Sequence, residues 1–253
     1  MRQSFLSISK LSEEPYSTVL AYPKPTKPKL KSRIKELKKL GIKSISFQGE
    51  LKLGTLDVLG KGYVGIVVLG KNKEKKVAIK IRRIDSSRKE MVNEAKFLKI
   101  ANNAGVGPVL IDNSKNFIVM EFLDGKRIGK WIKELDEKKS SKLLKSKIRK
   151  VLEDCYNLDQ AGLDHGELSN ITKHVIIGNK KTTIIDLESA SMERKVSNVT
   201  SATQGIFIGS GISKVVKKIY KLPPKSKIIK ALRTYKHNPS RETFDIILET
   251  LKL

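Results

Sequence analysis

The chain has 253 residues, of which 39% are hydrophobic and 31% are charged, a composition that argues against a disordered or membrane-embedded protein. Its 52 lysines and arginines outnumber 26 aspartates and glutamates. The net charge of +26 favours anionic partners such as nucleic acid, ribosomal particles or nucleotides, although a solvated lysine-rich surface has the same composition. Residues 1–16 lack the apolar run of a secretion signal and no segment resembles a membrane span, so we expect a cytoplasmic protein with no membrane partner.

The first 45 residues predict an extension ahead of the main domain. The prolines of P-K-P-T-K-P-K at 23–29 cannot continue a helix, so this segment predicts a linker. Leucine and isoleucine then recur three and four residues apart over 30–40, which predicts an amphipathic helix with a basic outer face that Gly41 ends.

Short β-type runs separated by glycines fill residues 44–80 and predict an antiparallel sheet. A helix is expected over 87–102, followed by strands over 109–111 and 117–122. This part of the chain therefore predicts a sheet with one helix beside it.

The rest of the chain is predominantly helical. Helices are expected over 129–136 and 140–161, and a hairpin over 175–186 with its turn at 178–179. The remainder predicts irregular structure and then helix near the C-terminus. A sheet followed by helices, in consecutive runs, predicts the α+β class.

A glycine-rich motif, G-K-G-Y-V-G-I-V, runs from Gly60 to Val67. Glycines in this pattern let backbone amides approach phosphate oxygens, but the same spacing also occurs in ordinary turns and bulges. A dinucleotide-binding motif would need a helix directly afterwards, whereas I-V-V-L continues as a strand. The residues downstream of the motif therefore decide its interpretation.

The motif V-A-I-K, Val77–Lys80, comes one hairpin later. Together the two motifs resemble the N-lobe of eukaryotic-type protein kinases, in which a strand lysine holds the ATP phosphates. The resemblance implies that Glu94 pairs with Lys80, with Glu90 as the alternative one helical turn earlier. An exposed lysine on an edge strand is the competing interpretation.

The kinase resemblance also implies an adenine site. Met120 would be the gatekeeper, residues 121–123 the hinge, and Asp124 a contact of the ribose. The implied ATP-contacting residues are Leu59, Gly60, Lys61, Gly62, Gly65, Val67, Ala78, Lys80, Met120, Glu121 and Leu123.

The motif L-D-H-G-E-L-S-N, Leu163–Asn170, stands where a kinase catalytic loop is expected. Glu167 replaces the usual aspartate as the catalytic carboxylate, and its extra methylene predicts a rearranged loop or modest turnover. His165 is expected to be structural.

The motif I-I-D-L-E places Asp186 at the position of the magnesium-binding aspartate of kinases. The second ligand of Mg²⁺ is either Asn170 or His174. Oxygen suits magnesium better than imidazole, which slightly favours Asn170.

The amino-acid sequences of these motifs are most similar to those of small archaeal serine/threonine kinases related to the Rio kinases and the KEOPS-complex kinase. That resemblance implies a bilobal protein-kinase-like domain over 46–253, with an antiparallel-sheet N-lobe over 46–124 and a reduced helical C-lobe over 125–253. It also implies ATP and Mg²⁺ as cofactors and a protein substrate. The motif A-P-E, which closes a conventional activation segment, is absent from the sequence.

Residues 214–236 carry nine lysines and arginines and no acidic residue, which is either a solvated helix face or a docking surface for RNA or a ribosomal particle. The leading hypothesis is transfer of the ATP γ-phosphate to a protein hydroxyl. The alternatives are an ATP-switched binding module or weak ATPase on an RNA-containing particle and, ranked last, a small-molecule kinase.

Overall fold

The computed structural model describes residues 5–179, 181–209 and 211–253. Residues 1–4 of the predicted extension and residue 180 of the predicted hairpin lie outside the described residues. Two compact units are present: one holds the chain up to Lys99 together with Pro108–Leu123, and the other holds Ile100–Gly107 and Asp124–Leu253. The predicted domain borders at residues 45 and 124 stay predictions.

The first unit is built on an antiparallel sheet. Its strands are β1 (Leu6–Ser7), β2 (Ile42–Ser46), β5 (Gly60–Lys61), β6 (Gly65–Asn72), β7 (Lys75–Arg82), β8 (Leu110–Asn113) and β9 (Phe117–Glu121), and a separate hairpin joins β3 (Leu51–Leu53) to β4 (Leu56–Val58). The sheet order is β1-β2-β6-β7-β9-β8, with β5 paired to β6. Branched residues along β6 and β7 favour these central strands.

Helices of the N-terminal extension cover one face of this sheet. They are a 3-10 helix (Ile8–Ser12), α1 (Tyr16–Leu20) and α2 (Lys27–Lys39). Their buried leucines pack into one core with the inward-facing residues of the central strands. Because strand residues alternate between faces, the core residues Ile79 and Val119 lie on the extension side, whereas Lys80 lies on the other.

Helix α2 begins at Lys27, inside the segment predicted as a linker, so that prediction was wrong at residues 27–29. Pro28 stands in the first turn of the helix, where a backbone N–H has no intrahelical partner and its loss costs nothing. Pro28 therefore marks the start of the helix, whereas Pro23 and Pro25 lie before it.

Helix α3 (Val92–Asn103) begins later than the predicted start at residue 87. The backbone ahead of it is bonded elsewhere: the Arg88 carbonyl accepts from the Arg82 side chain at 3.0 Å, and the Met91 N–H donates to the Lys115 carbonyl at 2.9 Å. Those bonds compete with a helical turn.

The second unit is mainly helical. Its helices are α4 (Ile128–Lys133), α5 (Ser141–Gln160), α6 (Ile171–His174), α7 (Asn198–Phe207), α8 (Gly211–Ile219), α9 (Lys225–His237) and α10 (Arg241–Leu251), beside a small sheet of β10 (Gly125–Arg127), β11 (Val175–Gly178) and β12 (Thr182–Ile184). The apolar stripe of α5 is fully buried and packs on α7. Much of the segment predicted as irregular, from Asn198 onward, is helical. The predicted α+β class with an antiparallel sheet is confirmed.

No helix in the described part of the chain combines the length and the apolarity that crossing a bilayer requires.

Candidate active site

The glycine-rich segment forms a tight hairpin between β5 and β6. The Leu59 N–H donates to the Val67 carbonyl at 2.9 Å, and the Gly62 N–H donates to the Gly65 carbonyl at 2.9 Å. The chain continues as a strand, so the geometry is not that of a dinucleotide-binding turn.

Lys80 is buried beside this turn and pairs with Glu94. Its ammonium lies 2.7 Å from Oε1 of Glu94, and each side chain is only 6% exposed, whereas Glu90 is exposed ahead of α3. A Cβ at Gly65 would lie 3.0 Å from the Lys80 Cγ and from the Ile81 carbonyl oxygen, so glycine leaves the lysine its place. Desolvation offsets most of the attraction in a buried ion pair, so such a pair is better evidence of function than of stability.

The predicted adenine contacts share the face of the sheet that carries Lys80. Val67, Ala78 and Met120 alternate with the core residues of their strands, and Ala78 pairs directly with Met120. Val67 and Met120 are half-buried. An apolar face next to a buried ammonium and a glycine turn fits a flat base joined to a phosphate chain.

The remaining predicted ATP contacts lie at strand ends. Lys61 is exposed in β5, and Leu123 is half-buried after β9. Glu121 ends β9, where its N–H donates to the Val109 carbonyl at 2.9 Å.

His165 of the catalytic-loop motif is completely buried in the second unit. Its Nε2 donates to the Ile185 carbonyl at 3.0 Å, and its backbone N–H donates to Oδ1 of Asn198 at 2.8 Å. Burial is the main cause that lowers the pKa of His165, so the ring is neutral. These contacts make His165 a structural link between the catalytic-loop motif and Ile185, the residue before Asp186.

Gly166 has a backbone conformation that the loop requires. Its φ is +85°, and a Cβ there would collide with the Arg194 guanidinium and with the Ser189 carbonyl oxygen. Only glycine fits both the torsion and the space.

Glu167 is held by two hydrogen-bond donors. The Ser189 hydroxyl donates to Oε1 at 2.6 Å, and Nε2 of His174 donates to Oε2 at 3.1 Å. The Glu167 side chain is 39% exposed. The carboxylate is therefore oriented yet open to solvent. The sequence reasoning missed Ser189. The feature of the sequence that could have drawn attention to it is its position three residues after Asp186.

Asp186 adopts a left-handed backbone conformation, with φ of +72°. The peptide before it is fixed from two directions: the Ile185 N–H donates to the His174 carbonyl at 2.9 Å, and the Ile185 carbonyl accepts from His165. A non-glycine residue in this region is uncommon and often marks a functional site.

The two predicted second ligands for magnesium differ in their surroundings. Asn170 is exposed and its side-chain oxygen accepts from the Thr172 hydroxyl at 3.0 Å, whereas His174 is buried and its Nε2 donates to Glu167. Within the described residues, His, Cys, Asp and Glu form no group of three that could hold a metal ion. Protein sites often hold Mg²⁺ through one or two carboxylates together with substrate phosphates, and Asp186 fits that arrangement.

Asn198 anchors the catalytic-loop motif to a buried carboxylate. Its N–H and its side-chain amide donate to Asp159 Oδ1 at 2.9 and 2.8 Å, and the same amide donates to the Leu163 carbonyl at 2.8 Å. Tyr235 donates to Asp159 Oδ2 at 2.9 Å. Burial raises the pKa of Asp159 despite these donors. The sequence reasoning missed this role of Asn198.

The sequence pattern of the RIO domain matches residues 68–201, more than half of the chain. The chain belongs to the RIO family. RIO domains are atypical protein kinase domains, so this RIO protein is an ATP-binding member of a kinase family, and the predicted kinase-like fold is confirmed. The match includes Lys80, Glu94, Glu167 and Asp186. The glycine turn and the basic tail, residues 214–236, lie outside it.

A relative in Methanocaldococcus jannaschii is 31% identical over 98 residues, which cover 39% of this chain and 80% of the relative. That relative is named only as an uncharacterized protein.

Proposed function

We propose that this RIO protein is a cytoplasmic serine/threonine protein kinase that transfers the γ-phosphate of MgATP to a hydroxyl of a protein substrate. The observation that carries the proposal is the Lys80–Glu94 pair, which holds an ammonium beside the glycine turn at only 6% exposure. In so basic a chain, a lysine on the surface would not indicate a function. A buried lysine held by a glutamate, in contrast, is positioned to bind a specific anion.

Each of the predicted functional residues has one proposed task. The backbone amides of the glycine turn other than that of Gly62, together with the ammonium of Lys80, would hold the phosphates, and Glu94 would keep that ammonium in place. Asp186, with Asn170 or His174, would hold Mg²⁺, whose charge offsets that of the phosphates when it is bound.

Glu167 is the proposed proton acceptor. Its Oε1 already accepts a hydrogen bond from the Ser189 hydroxyl at 2.6 Å, so an aliphatic hydroxyl fits against this carboxylate. His174 holds the other oxygen and compensates for the longer side chain of glutamate by fixing its direction. These contacts support Glu167 as the group that accepts the proton of a substrate hydroxyl.

Replacement of Lys80 and of Asp186 tests the proposal. Lys80→Ala and Asp186→Asn are each expected to lower transfer of γ-labelled phosphate to protein by at least about a hundredfold, because each removes charge that stabilises the transferring group. Lys76→Ala is the matched control, since Lys76 is exposed on the same strand and should leave labelling unchanged. Undiminished labelling in both site variants would refute the kinase.

A second function is favoured by the basic tail. Most lysines and arginines of residues 214–236 are exposed on α8, α9 and the segment between them, which suits an ATP-switched binding module or weak ATPase on RNA or a ribosomal particle. This function wins if ATP alters a strongly salt-dependent binding to RNA and no phosphoprotein forms.

A further inference from the structure

Tyr22 of the N-terminal extension lies against the glycine turn. Its carbonyl accepts from the Ile84 N–H at 2.8 Å, which fixes Tyr22 beside the segment that follows β7. Its ring lies 4.8 Å from the guanidinium carbon of Arg83 and 5.4 Å from Nζ of Lys61. Two cations that flank the turn therefore share one aromatic ring.

Arg83 connects this ring to the turn itself. Its Nη1 donates to the Gly62 carbonyl at 3.0 Å, and its backbone N–H donates to the Val64 carbonyl at 2.8 Å. Asp85 accepts two hydrogen bonds from the same guanidinium, at 2.9 and 2.7 Å, and thereby fixes its plane. The Arg83 side chain is 19% exposed.

A glycine turn needs such restraint from outside. Glycine has the greatest backbone freedom, so ordering it on a ligand carries a large entropic cost unless the free protein already holds the turn. Tyr63 at the tip is 89% exposed and packs little, whereas the carbonyls of Gly62 and Val64 are both held by Arg83. Arg83 fixes the turn without adding a side chain to the surface that phosphates would approach.

We propose that Arg83, stacked on Tyr22, is a positioning residue that preorganises the glycine turn for the phosphates of ATP. The extension thereby becomes a determinant of nucleotide affinity. This inference rests on the proposed function, because it requires that ATP bind at this turn.

A comparison of the affinities for ATP and for adenosine distinguishes a role of Arg83 in positioning the phosphates from a general structural role. Arg83→Gln is expected to weaken ATP binding by about three- to tenfold, the worth of one net hydrogen bond, and to leave adenosine binding unchanged, because adenosine carries no phosphate. Tyr22→Leu should have the same selective effect, and Tyr22→Phe, which keeps the ring, should have none. Isothermal titration of the full chain measures each dissociation constant.

Lys71→Gln is the matched control. Lys71 lies 4.6 Å from the Phe5 ring, so it too is a cation stacked on the extension, but it stands near the far end of β6. Its replacement should leave both affinities unchanged. Amide hydrogen exchange of Gly62 should be faster in Arg83→Gln than in the wild type, which checks the restraint without any nucleotide.

Three results would overturn the inference, and they are distinguishable. If the wild type binds ATP and Arg83→Gln binds it equally well, the positioning role is wrong and the proposed function stands. Equal losses for ATP and adenosine would make Arg83 merely structural. If the wild type binds no ATP, the proposed function fails and this inference fails with it.

Discussion

His165 is a neutral histidine enclosed by charged and ionisable neighbours. Burial is the largest cause and lowers its pKa from 6.5. The hydrogen bond to the Ile185 carbonyl and the charges of Asp186 and Glu167 act to raise this pKa, and His174 acts to lower it further. Since Nε2 of the imidazole already donates to the Ile185 carbonyl, protonation would add a proton and a positive charge at the buried Nδ1, which has no hydrogen-bond partner among the described residues.

The lowered pKa of His165 predicts that the stability of the protein depends on pH. The unfolded chain has the ordinary histidine pKa, so as pH falls below about 6.5 it binds a proton that the folded state does not, and the free energy of unfolding drops by at most about 1.4 kcal/mol per pH unit. His165→Gln keeps an N–H donor for Ile185 but cannot titrate, so its stability should fall less between about pH 7.5 and pH 5.5. Urea unfolding at several pH values measures the difference. His174 and His237 remain in both proteins, so equal slopes would show that His165 contributes none of the dependence.

Sequence reasoning at this scale was strongest where a motif fixes both residue type and spacing. The placement of Lys80 next to Glu94 follows from a strand and a helix whose motifs are clear, whereas Ser189 and Asn198 contact the catalytic-loop motif from 22 and 33 residues away. Contacts over such separations depend on how loops fold back, and periodicity carries no information about that.

Helix α2 belongs to the N-terminal extension, but it packs against the sheet as part of the core of the first unit. Leu37 is completely buried in the core shared with the central strands, and Asn116 in the turn between β8 and β9 donates two hydrogen bonds to Glu36, at 2.9 and 2.8 Å. Arg33 donates to the Asn116 side chain at 3.2 Å, and burial, more than repulsion from Arg82, lowers the pKa of Arg33 to about 10.

Truncation of a core residue on α2 tests this integration. Leu37→Ala should lower the free energy of unfolding of the first unit by about 2–5 kcal/mol, because a buried leucine leaves a cavity. Lys35→Ala on the exposed side of the same helix should change it by less than about 0.5 kcal/mol. Urea denaturation followed by circular dichroism gives both values, and a loss in Leu37→Ala no larger than in Lys35→Ala would mean that the extension does not support the sheet.

The apolar spacing predicted α2 as a helix, but the sequence did not reveal which surface its buried stripe covers. Helix α5 and the β6–β7 pair were predicted within a few residues because long periodic runs leave little choice of structure. The elements at the start of the extension were missed, because elements of two to five residues carry too few positions for a period to show. Helix α7 after the hairpin has ten residues but was also missed, because its sequence N-V-T-S-A-T-Q-G-I-F is rich in residues of low helix propensity.

At the scale of the whole molecule the net charge is the dominant feature. With 52 basic residues against 26 acidic ones, ion pairs such as Arg241 with Glu153, at 2.8 Å, can neutralise only half of the cations. Salt weakens the attraction and the repulsion between charges alike. Because repulsion exceeds attraction in this protein, added salt should stabilise the folded state.

Added salt is therefore expected to stabilise this protein. Raising NaCl from about 0.1 M to about 1 M shortens the Debye length from about 10 Å to about 3 Å and screens the repulsion, so the first thermal midpoint should rise by roughly 2–4 °C for each kcal/mol of relief. Lys227→Glu with Lys230→Glu, both exposed on α9, lowers the net charge by four units, so the doubly substituted protein should show a smaller rise. Differential scanning calorimetry measures both. A midpoint that falls with salt would mean that specific ion pairs outweigh the surplus charge, and equal rises in the two proteins would assign the effect to general salting-out instead.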